Sequence, residues 1–479
     1  MELGPAGLLP AFFVPAQDAL MTTAADTGTL KTDRRAVLSW ALFDWAAQPF
    51  FTLVTTFVFA PYFAASLAST PAEGQALWGY ATAAAGLGIA LSAPVLGSIA
   101  DATGRRKRWI LLFSIPFLIC CSALWYAAPG GAHSITIALV AFAIGTLSIE
   151  VATVFNNAMM PSLVPAAKIG RLSSFGWAMG YVSGLVTLVI ALGFFAASPE
   201  TGRTLLGFEP VFGLDAATRE GDRAVGPFSV VWFIVFAIPM FLFVPDAPKR
   251  AKIGVAVRKG LSDLGESLAQ ARANRNIFLF LLSNMIFKDG LVALFAFGGI
   301  YSAGQLGWGS IEIGTFGIIL TITGTLGLLL GGPMDDRFGA KLVILFCLIV
   351  LMICGLGMIS VDKTTVFFVI KSEPAPEGAL FASLPEQVFI VLGAIIGAVS
   401  GPLQASCRSL LIRLAPHEHM TQYFGLLALS GKVTSFLAPL AVGIVTAITA
   451  NQATGMSVIL VFFFVGLVLL TMVKEKRAG

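Results

Sequence analysis

The chain has 479 residues, of which 57% are hydrophobic and only 12% are charged, with a net charge of +4 and a mean hydropathy of +0.87. This composition excludes a chain whose main solvent is water and indicates a protein with many membrane spans. The small positive charge reports the topology of the loops, so no nucleic-acid partner is predicted.

The first 35 residues are rich in Ala, Pro, Gly and Thr, and no Lys or Arg precedes Lys31. Because a secretory signal begins with basic residues, none is predicted here. We expect residues 1–35 to form a cytoplasmic tail, with Met21 as a candidate translation start.

Twelve apolar segments follow, each near the roughly 20 residues that a helix needs to cross about 30 Å of hydrocarbon. They predict an all-α integral membrane fold with two six-helix bundles, at 36–245 and 277–473, joined by a cytoplasmic linker at 246–276 and ending in a tail at 474–479. The predicted spans are 36–66, 75–100, 109–128, 134–158, 172–198, 227–245, 277–303, 310–334, 341–361, 387–411, 422–448 and 455–473.

The linker between the bundles is basic. Leu261, Leu264 and Leu268 recur at helical spacing within it, which favours an amphipathic helix on the membrane surface over a solvated tether. The loops at 199–226 and 361–386 are polar, and we expect them to cap the outer mouth.

One motif occurs twice, 235 positions apart, as Gly97-x-x-x-Asp101-x-x-Gly104-Arg105-Arg106 and Gly332-x-x-x-Asp336-x-x-Gly339-Ala340-Lys341. Each copy joins two apolar segments on one face of the bilayer, so the chain is a duplication and its halves should be pseudo-symmetric. The pattern resembles the loops between helices 2 and 3 and between helices 8 and 9 of the major facilitator superfamily. We expect its acids and bases to cap helix ends and latch the halves on the cytoplasmic side. Topology enforcement alone is the alternative.

The distribution of basic residues predicts the orientation. With both termini in the cytoplasm, that side carries 22 of the 30 Lys and Arg residues and the other side carries five. Cytoplasmic loops carry the excess of basic residues in membrane proteins. We therefore predict a multi-pass plasma (inner) membrane protein with both termini inside.

Six ionisable residues fall at membrane depth, where each costs about 2.5–3.5 kcal/mol at a helix centre unless it is paired or hydrated. They are Asp44, Glu150, Lys288, Asp289, Arg408 and Lys432. In the superfamily that the chain resembles, helices 1, 4, 7 and 10 line the central cavity, and all but Lys432 lie on those helices.

Superposition of helices 1 and 7 makes Asp44 and Asp289 symmetry mates, and counting back from Pro165 and Pro416 pairs Asn157 with Arg408. A lining of acids, bases and amides suits a zwitterion, whose carboxylate binds Lys or Arg and whose ammonium binds Asp or Glu. The full set of substrate and ion candidates is Asp44, Gln48, Glu150, Asn156, Asn157, Lys288, Asp289, Arg408 and Lys432.

Several roles stay open for these charges. Lys288 is expected to pair with Asp44 or Glu150 across the halves, either as a gating bridge or as a static ion pair. Glu150 is either a proton carrier or a permanently neutral, hydrogen-bonded acid. Lys432 is expected to have a structural role, with its amine at the interface or near the turn of Asp101.

The first helix narrows the family. It contains Trp40-Ala-Leu-Phe-Asp44-Trp45-Ala46-Ala47-Gln48-Pro49-Phe50, and it resembles the vacuole-effluxer-like, autophagy-related branch of the superfamily. Further matches are Asn156-Asn157-Ala158, Gly170-Arg171-Leu172-Ser173 and Gly176-x-x-x-Gly180-Tyr181. Ala47 departs from the Asn that bacterial relatives commonly carry, so any role of that Asn is absent. The resemblance implies export of amino acids, and it implies that the glycine-rich helices 5 and 8 meet across the halves.

Other chemistries find little support. The chain has no Gly-x-x-x-x-Gly-Lys-Ser/Thr phosphate loop and no Gly-x-Ser-x-Gly elbow, so we predict no enzyme activity and no cofactor. His417-Glu418-His419 lacks further ligands, and the five cysteines lie in apolar spans, so no metal and no disulfide is predicted.

We therefore predict a monomeric secondary transporter that moves a small solute, an amino acid, across the lipid bilayer by alternating access and is coupled to protons. The alternatives are an amphiphile or drug exporter and, in another class, a lipid scramblase or a transport-dead receptor.

Overall fold

The computed structural model describes residues 33–103, 105–164, 169–246, 258, 262, 265, 266, 268, 269, 271–373, 380–415 and 420–475. Six long helices form the first half. They are α1 (Arg34–Leu67), α2 (Pro71–Thr103), α3 (Arg106–Ala123), α4 (Ser134–Asn157), α5 (Ile169–Ile190) and α6 (Glu220–Phe243).

The second half repeats this organisation. Its helices are α7 (Arg275–Leu306), α8 (Ser310–Phe338), α9 (Ala340–Ile359), α10 (Leu384–Leu414), α11 (Met420–Val433 and Leu437–Thr449) and α12 (Gln452–Thr471). A two-stranded antiparallel hairpin, β1 (Thr365–Val366) and β2 (Ile370–Lys371), lies between α9 and α10.

The predicted fold class is confirmed. Eleven helices of the described chain are long and apolar enough to cross a membrane. The remaining predicted span lies in α2, whose 33 residues exceed the length that a crossing needs but are rich in Gly and Ala. Like the other helices, α2 packs within the bundle, chiefly against α4 and α11.

Equivalent helices make equivalent contacts in the two halves. In the first half α1 packs on α5 and α6, and α4 packs on α2 and α3. In the second half α7 packs on α11 and α12, and α10 packs on α8 and α9. The duplication read from the repeated motif is therefore also a duplication of packing.

Two helices are less regular than their hydropathy predicts. After Pro49, α1 continues as a π-helix over Phe50–Phe57, in which the Thr55 and Thr56 hydroxyls donate to the carbonyls of residues five positions earlier, at 3.3 and 2.9 Å. The predicted helix 11 is interrupted by a turn at 434–436. Hydropathy averages over a window and is insensitive to one unwound turn.

Helix α6 begins seven residues before the predicted start at 227. Its first turn contains Glu220 and Asp222, and acidic residues there are stabilised by the positive end of the helix dipole. Arg223, one turn in, donates to the carbonyl of Trp125 at 2.9 Å. Charges that the sequence places in a loop thus form the buried start of a helix.

The glycines of α5 and α8 pack mostly against helices of their own half. Gly317 of α8 is an exception, because it lies against Phe57 of α1. Gly176, Gly180 and Gly184 of α5 lie against α1, and Gly324, Gly327 and Gly331 of α8 lie against α10. Helices α5 and α8 do meet across the halves, where Gly314 lies against Leu192. The rows allow close packing of helices within each half.

Close packing of α8 on α10 gives a stability prediction. A Cβ at residue 327 would overlap the Ala398 carbonyl, whereas a Cβ at residue 324 would lie an ordinary 3.4 Å from the Gly397 oxygen. We expect Gly327→Ala to lower the free energy of unfolding by about 1–3 kcal/mol through overpacking. Gly324→Ala is the matched control and should be neutral or slightly stabilising, because Ala favours a helix over Gly. Thermal unfolding in detergent compares the two variants, and equal midpoints would contradict the close approach of α8 to α10 at Gly327.

Candidate functional site

We call the side on which α1 begins and α12 ends the terminal face, and the opposite side the far face. Hydrogen bonds between the halves lie near the far face and at mid-depth. At the far face Gln75 of α2 donates to Thr446 of α11 at 2.8 Å, and Gln452 of α12 donates to the Pro71 carbonyl at 3.1 Å. The two halves are therefore joined on this side.

Among the described residues, one ion pair crosses between the halves at mid-depth. Lys432 Nζ of α11 lies 2.5 Å from Glu150 Oε2 of α4. The Lys432 side chain is 43% exposed and that of Glu150 is 19% exposed, so the pair borders an accessible space. Glu150 therefore forms a bridge between the halves, and Lys432, to which the sequence assigned a structural role, is its partner.

The predicted bridge from Lys288 to Glu150 or Asp44 is wrong. Among the described residues no carboxylate lies within ion-pair distance of Lys288. Its ammonium nitrogen instead lies 2.7 Å from the point that a Cβ at Gly431 would occupy. The missing side chain of this glycine gives Lys288 its place beside α11, next to Lys432 but without an acid of its own.

A cluster of charge surrounds Lys288. The charge of Lys288 interacts with the charges of Lys432 on α11, Arg408 on α10 and Glu150 on α4. Arg408 is exposed and makes no ion pair with the described residues. We call Glu150, Lys288, Arg408 and Lys432 the mid-depth cluster, in which three bases accompany one acid.

Asp289 is separate from this cluster, although it follows Lys288 directly. It is 1% exposed, and its Oδ1 accepts a hydrogen bond from the Thr434 hydroxyl at 3.3 Å. Thr434 starts the turn that interrupts α11. The nearby Asn284 is also buried and donates to Ser430 of α11 at 3.1 Å.

Asp44 lies on the side of α1 that packs against α5. Its carboxylate is 2.5 Å from the point that a Cβ at Gly176 would occupy, beside Trp40. One turn on, Gln48 lies against Gly180 and Gly184 and donates to Thr52 at 3.2 Å. A polar row on α1 thus occupies the space left by the glycine row of α5.

The two aspartates have equivalent positions. Asp44 is on the first helix of its half and faces the fifth, and Asp289 is on the first helix of the second half and faces its fifth, α11. This geometry agrees with their treatment as symmetry mates. Asp44 is half-buried, whereas Asp289 is fully buried.

The two asparagines at the end of α4 have different environments. Asn156 is 0% exposed, its carbonyl accepts from the Trp40 indole at 2.8 Å, and its amide has no partner among the described residues. Asn157 is exposed at the last position of the helix. Asn156 is therefore part of the packing between α1 and α4 and does not line the cavity.

The described members of the repeated motif bond within their own halves. The Arg106 amide donates to Asp246 at 2.9 Å, and Lys341 Nζ donates to the Val473 carbonyl at 2.6 Å. Gly339, at φ 89°, ends α8, and Arg105 is exposed. Both bonds join parts of the same half, and Lys341 ties α9 to the end of α12. The latch between the halves stays a prediction. Gly104, the surroundings of Gly97 and Gly332, and the side chains of Asp101 and Asp336 lie outside the described part of the chain.

Other predicted features also fall partly outside it. His417, Glu418 and His419 are not among the described residues, and the described residues hold no group of three metal-ligating side chains. In the linker the described positions between 258 and 273 are helical and Leu268 is exposed, whereas Leu261 and Leu264 lie outside the described residues. A small cleft between α7, α9, α10 and α12 has an apolar lining and contains no predicted site residue.

The sequence missed a polar contact between the halves at the far face. The Ser310 hydroxyl, on the first turn of α8, donates to Asp222 of α6, and Arg219 Nη2 donates to the Ser310 oxygen at 3.0 Å. Arg219 also forms an ion pair with Asp222, which is 1% exposed. We call these three residues the far-face latch.

A local signal for the latch was present in the sequence. Glu220 and Arg223, like Arg219 and Asp222, are opposite charges three residues apart, the spacing that pairs side chains on a helix. Just before it, hydrogen bonds from the Thr218 hydroxyl and the Ala217 amide lower the pKa of the Asp215 carboxyl. The partner in the other half, Ser310, could not be predicted from the sequence, because the contact depends on tertiary packing.

Comparison with known proteins decides the family. The sequence profile described as "Vacuole effluxer Atg22 like" matches residues 73–479. The chain belongs to this family. The Atg22-like chain is 22% identical over 444 residues to the uncharacterized MFS-type transporter YxiO of Bacillus subtilis, covering 92% of this chain and 95% of that one.

Fungal relatives of this Atg22-like protein are longer. Autophagy-related protein 22 of Cryptococcus neoformans is 25% identical over 315 residues, which are 64% of this chain and 51% of the relative. The chain thus matches about half the length of that fungal protein.

Solved structures confirm the major facilitator fold. A D-xylose-proton symporter superposes with a TM-score of 0.62 at 14% identity, over 92% of this chain and 95% of that one. A bacterial homologue of the human lysosomal transporter Spinster, inward-facing and occupied, superposes with a TM-score of 0.59 at 12% identity, over 93% and 98% of the chains. The Atg22-like chain is a multi-pass membrane transporter of the major facilitator type.

Proposed function

We propose that this protein is a proton-coupled secondary transporter that moves amino acids by alternating access through the space between its halves. The observation that carries the proposal is the mid-depth cluster. It places charged side chains from both halves around one accessible region, at the depth where transporters of repeated architecture bind substrate.

The proposed roles follow from charge and pairing. Lys288 and Arg408 have no ion-pair partner among the described residues, so they are available to bind a carboxylate. Asp44, Glu150 and Asp289 are the three candidate proton carriers, and Asp44, which makes no ion pair with the described residues, is the proposed contact for the solute ammonium. The Glu150–Lys432 pair spans both halves, so a change in the distance between the halves must break or remake it.

Orientation and location are part of the proposal. The excess of Lys and Arg on the terminal face supports a cytoplasmic position for both termini and an inner-membrane location. The family description supports a role as an effluxer. In an inner membrane, such a protein would export its solute from the cytoplasm.

Uptake into proteoliposomes tests the proposal. Labelled amino acids should accumulate when a pH gradient is imposed, and Lys288→Met should reduce uptake about 10–100-fold, because hydrogen bonds to charged groups contribute about 1.5–3 kcal/mol. Lys371→Met is the matched control, since Lys371 is exposed on the far-face hairpin. Equal uptake by the two variants would remove the carboxylate role. If uptake still responds to the pH gradient in each of the variants Asp44→Asn, Glu150→Gln and Asp289→Asn, the proposed role of these acids as proton carriers is wrong.

A further inference from the structure

Among the three acids at membrane depth, Asp289 has the least compensation. Its Oδ1 accepts one hydrogen bond, from Thr434, and its Oδ2 has no partner among the described residues. Glu150, in contrast, is paired with Lys432, and Asp44 retains partial exposure. Of the three, Asp289 alone is both enclosed and unpaired.

The charged groups around Asp289 are all directed elsewhere. On its own helix Lys288 is turned about 100° away and lies against Gly431. Lys432 of α11 forms an ion pair with Glu150 of α4. The charge of Arg408, on α10, interacts with that of Lys288.

The remaining neighbours of α7 direct no charge at Asp289. On α8 Glu312 accepts from the Gly309 amide at 3.0 Å near the far face. Helix α12 contains no ionisable residue and places Phe462 and Phe463 against Gly290. On α1 the Tyr62 hydroxyl donates to the Ala127 carbonyl near the far face, and on α2 Glu73 accepts from the Ser69 amide there. No described cation therefore neutralises Asp289.

An ionised carboxylate in such a place is strongly destabilised, because a buried charge needs a counter-charge or a full set of hydrogen bonds. A proton, a solute ammonium and a metal cation can each satisfy it. An ammonium would have to displace the packing around a carboxylate that is only 1% exposed. A hard metal cation takes about six oxygen ligands, whereas the described surroundings offer the carboxylate and one hydroxyl. A proton requires only Oδ2, the free oxygen.

We propose that Asp289, beside the break in α11, carries the coupling proton of this transporter, separately from the residues that bind solute. The inference rests on the proposed function and selects one of its three candidate acids. The chemistry is a single transfer, in which a proton passes between water and Asp289 Oδ2 and no other bond changes.

The break in α11 links this proton to the movement of the halves. Thr434, the donor to Asp289, lies two residues after Lys432, the partner of Glu150 in the other half. Loss of the proton leaves a carboxylate that requires water or further donors, and the unwound turn at 434–436 is the backbone that can move to admit them. The same movement displaces Lys432, so ionisation of Asp289 and release of the bridge act on one segment.

Infrared difference spectroscopy on the solute-free protein tests the proton directly. The C=O stretching band of a protonated carboxylic acid should change between acidic and alkaline samples of the wild type, and this component should vanish in Asp289→Asn. Asp289→Glu should retain a band, and Asp362→Asn, in a far-face loop, is the matched control that should leave it unchanged. A wild-type band that persists in Asp289→Asn would overturn the inference.

Transport supplies the second readout. Asp289→Asn should still exchange labelled for unlabelled amino acid but should lose roughly 10-fold or more of its pH-driven accumulation. Normal accumulation by Asp289→Asn would overturn the inference and leave the proposed function standing. If the wild type moves no amino acid while the infrared band still depends on Asp289, the proposed function fails and the proton site stands.

Discussion

A protein carrying Ser310→Ala should open its far face in the absence of solute. The Ser310 hydroxyl links α8 to the Arg219–Asp222 pair in the far-face latch, and it both donates to Asp222 and accepts from Arg219. Ser310 makes two such bonds, each contributing about 1.5–3 kcal/mol, so their loss should shift the equilibrium between closed and open far faces about 100-fold or more. The helix itself is preserved, because Gly309 and not Ser310 is the N-cap of α8.

Distances between spin labels measure this shift. Labels at positions 209 and 371, both exposed on the far face in opposite halves, should report a longer distance in Ser310→Ala, on a background from which the five native cysteines have been removed. Ser400→Ala is the matched control, since the Ser400 hydroxyl donates to the Ile396 carbonyl of its own helix. Identical distance distributions for Ser310→Ala and the wild type would show that the latch does not hold the far face closed.

Reversal of the mid-depth bridge should restore transport that either single charge change removes. Glu150→Lys and Lys432→Glu each place like charges together, at a depth where an unpaired charge costs about 2.5–3.5 kcal/mol. Solvent screening reduces this cost, because Lys432 is 43% exposed, so we expect each single variant to lose roughly 10-fold of its uptake. The double variant restores the opposite charges and should recover most of the loss.

The double variant separates a bridge from a binding contact. A residue that touches the solute with a particular charge cannot be replaced by its opposite, so the swapped protein would then stay as inactive as the single variants. Lys371→Glu, which reverses the charge of an exposed residue on the far-face hairpin, controls for the effect of a charge reversal on folding. Uptake and thermal unfolding are measured on the same preparations, and an inactive but folded double variant would contradict the bridge.

The repeated motif and the hydropathy pattern were enough to predict two six-helix halves. Both signals are local, since a span is recognised by the apolar length that the bilayer requires and a repeat by its own residues. The equivalence of Asp44 and Asp289 was also predictable, because duplication conserves the position of a residue within its helix. The early start of α6 was missed, since Glu220, Asp222 and Arg223 look like loop residues until their partners are known.

The partner of Glu150 was not predictable. Lys288 and Lys432 are both basic residues at membrane depth, and the choice between them depends on the rotation of α7 and α11 about their axes. Gly431 decides it, because its missing side chain leaves room for the Lys288 ammonium beside α11 while Lys432 reaches across to α4. No spacing along one helix carries that information.

The far-face latch likewise contains one contact that the sequence indicates and one that only tertiary packing determines. Charge spacing indicates that Arg219 and Asp222 pair, since residues three apart are neighbours on a helix, but Ser310 lies 88 positions from Asp222. The sequence by itself determined the number of helices, their grouping into halves and the depth of the charged residues, because those depend on the cost of exposing each segment to lipid or water. Which charges meet was decided only by tertiary packing, because ion pairs and hydrogen bonds act over a few ångströms and require the rotation and contact of particular helices.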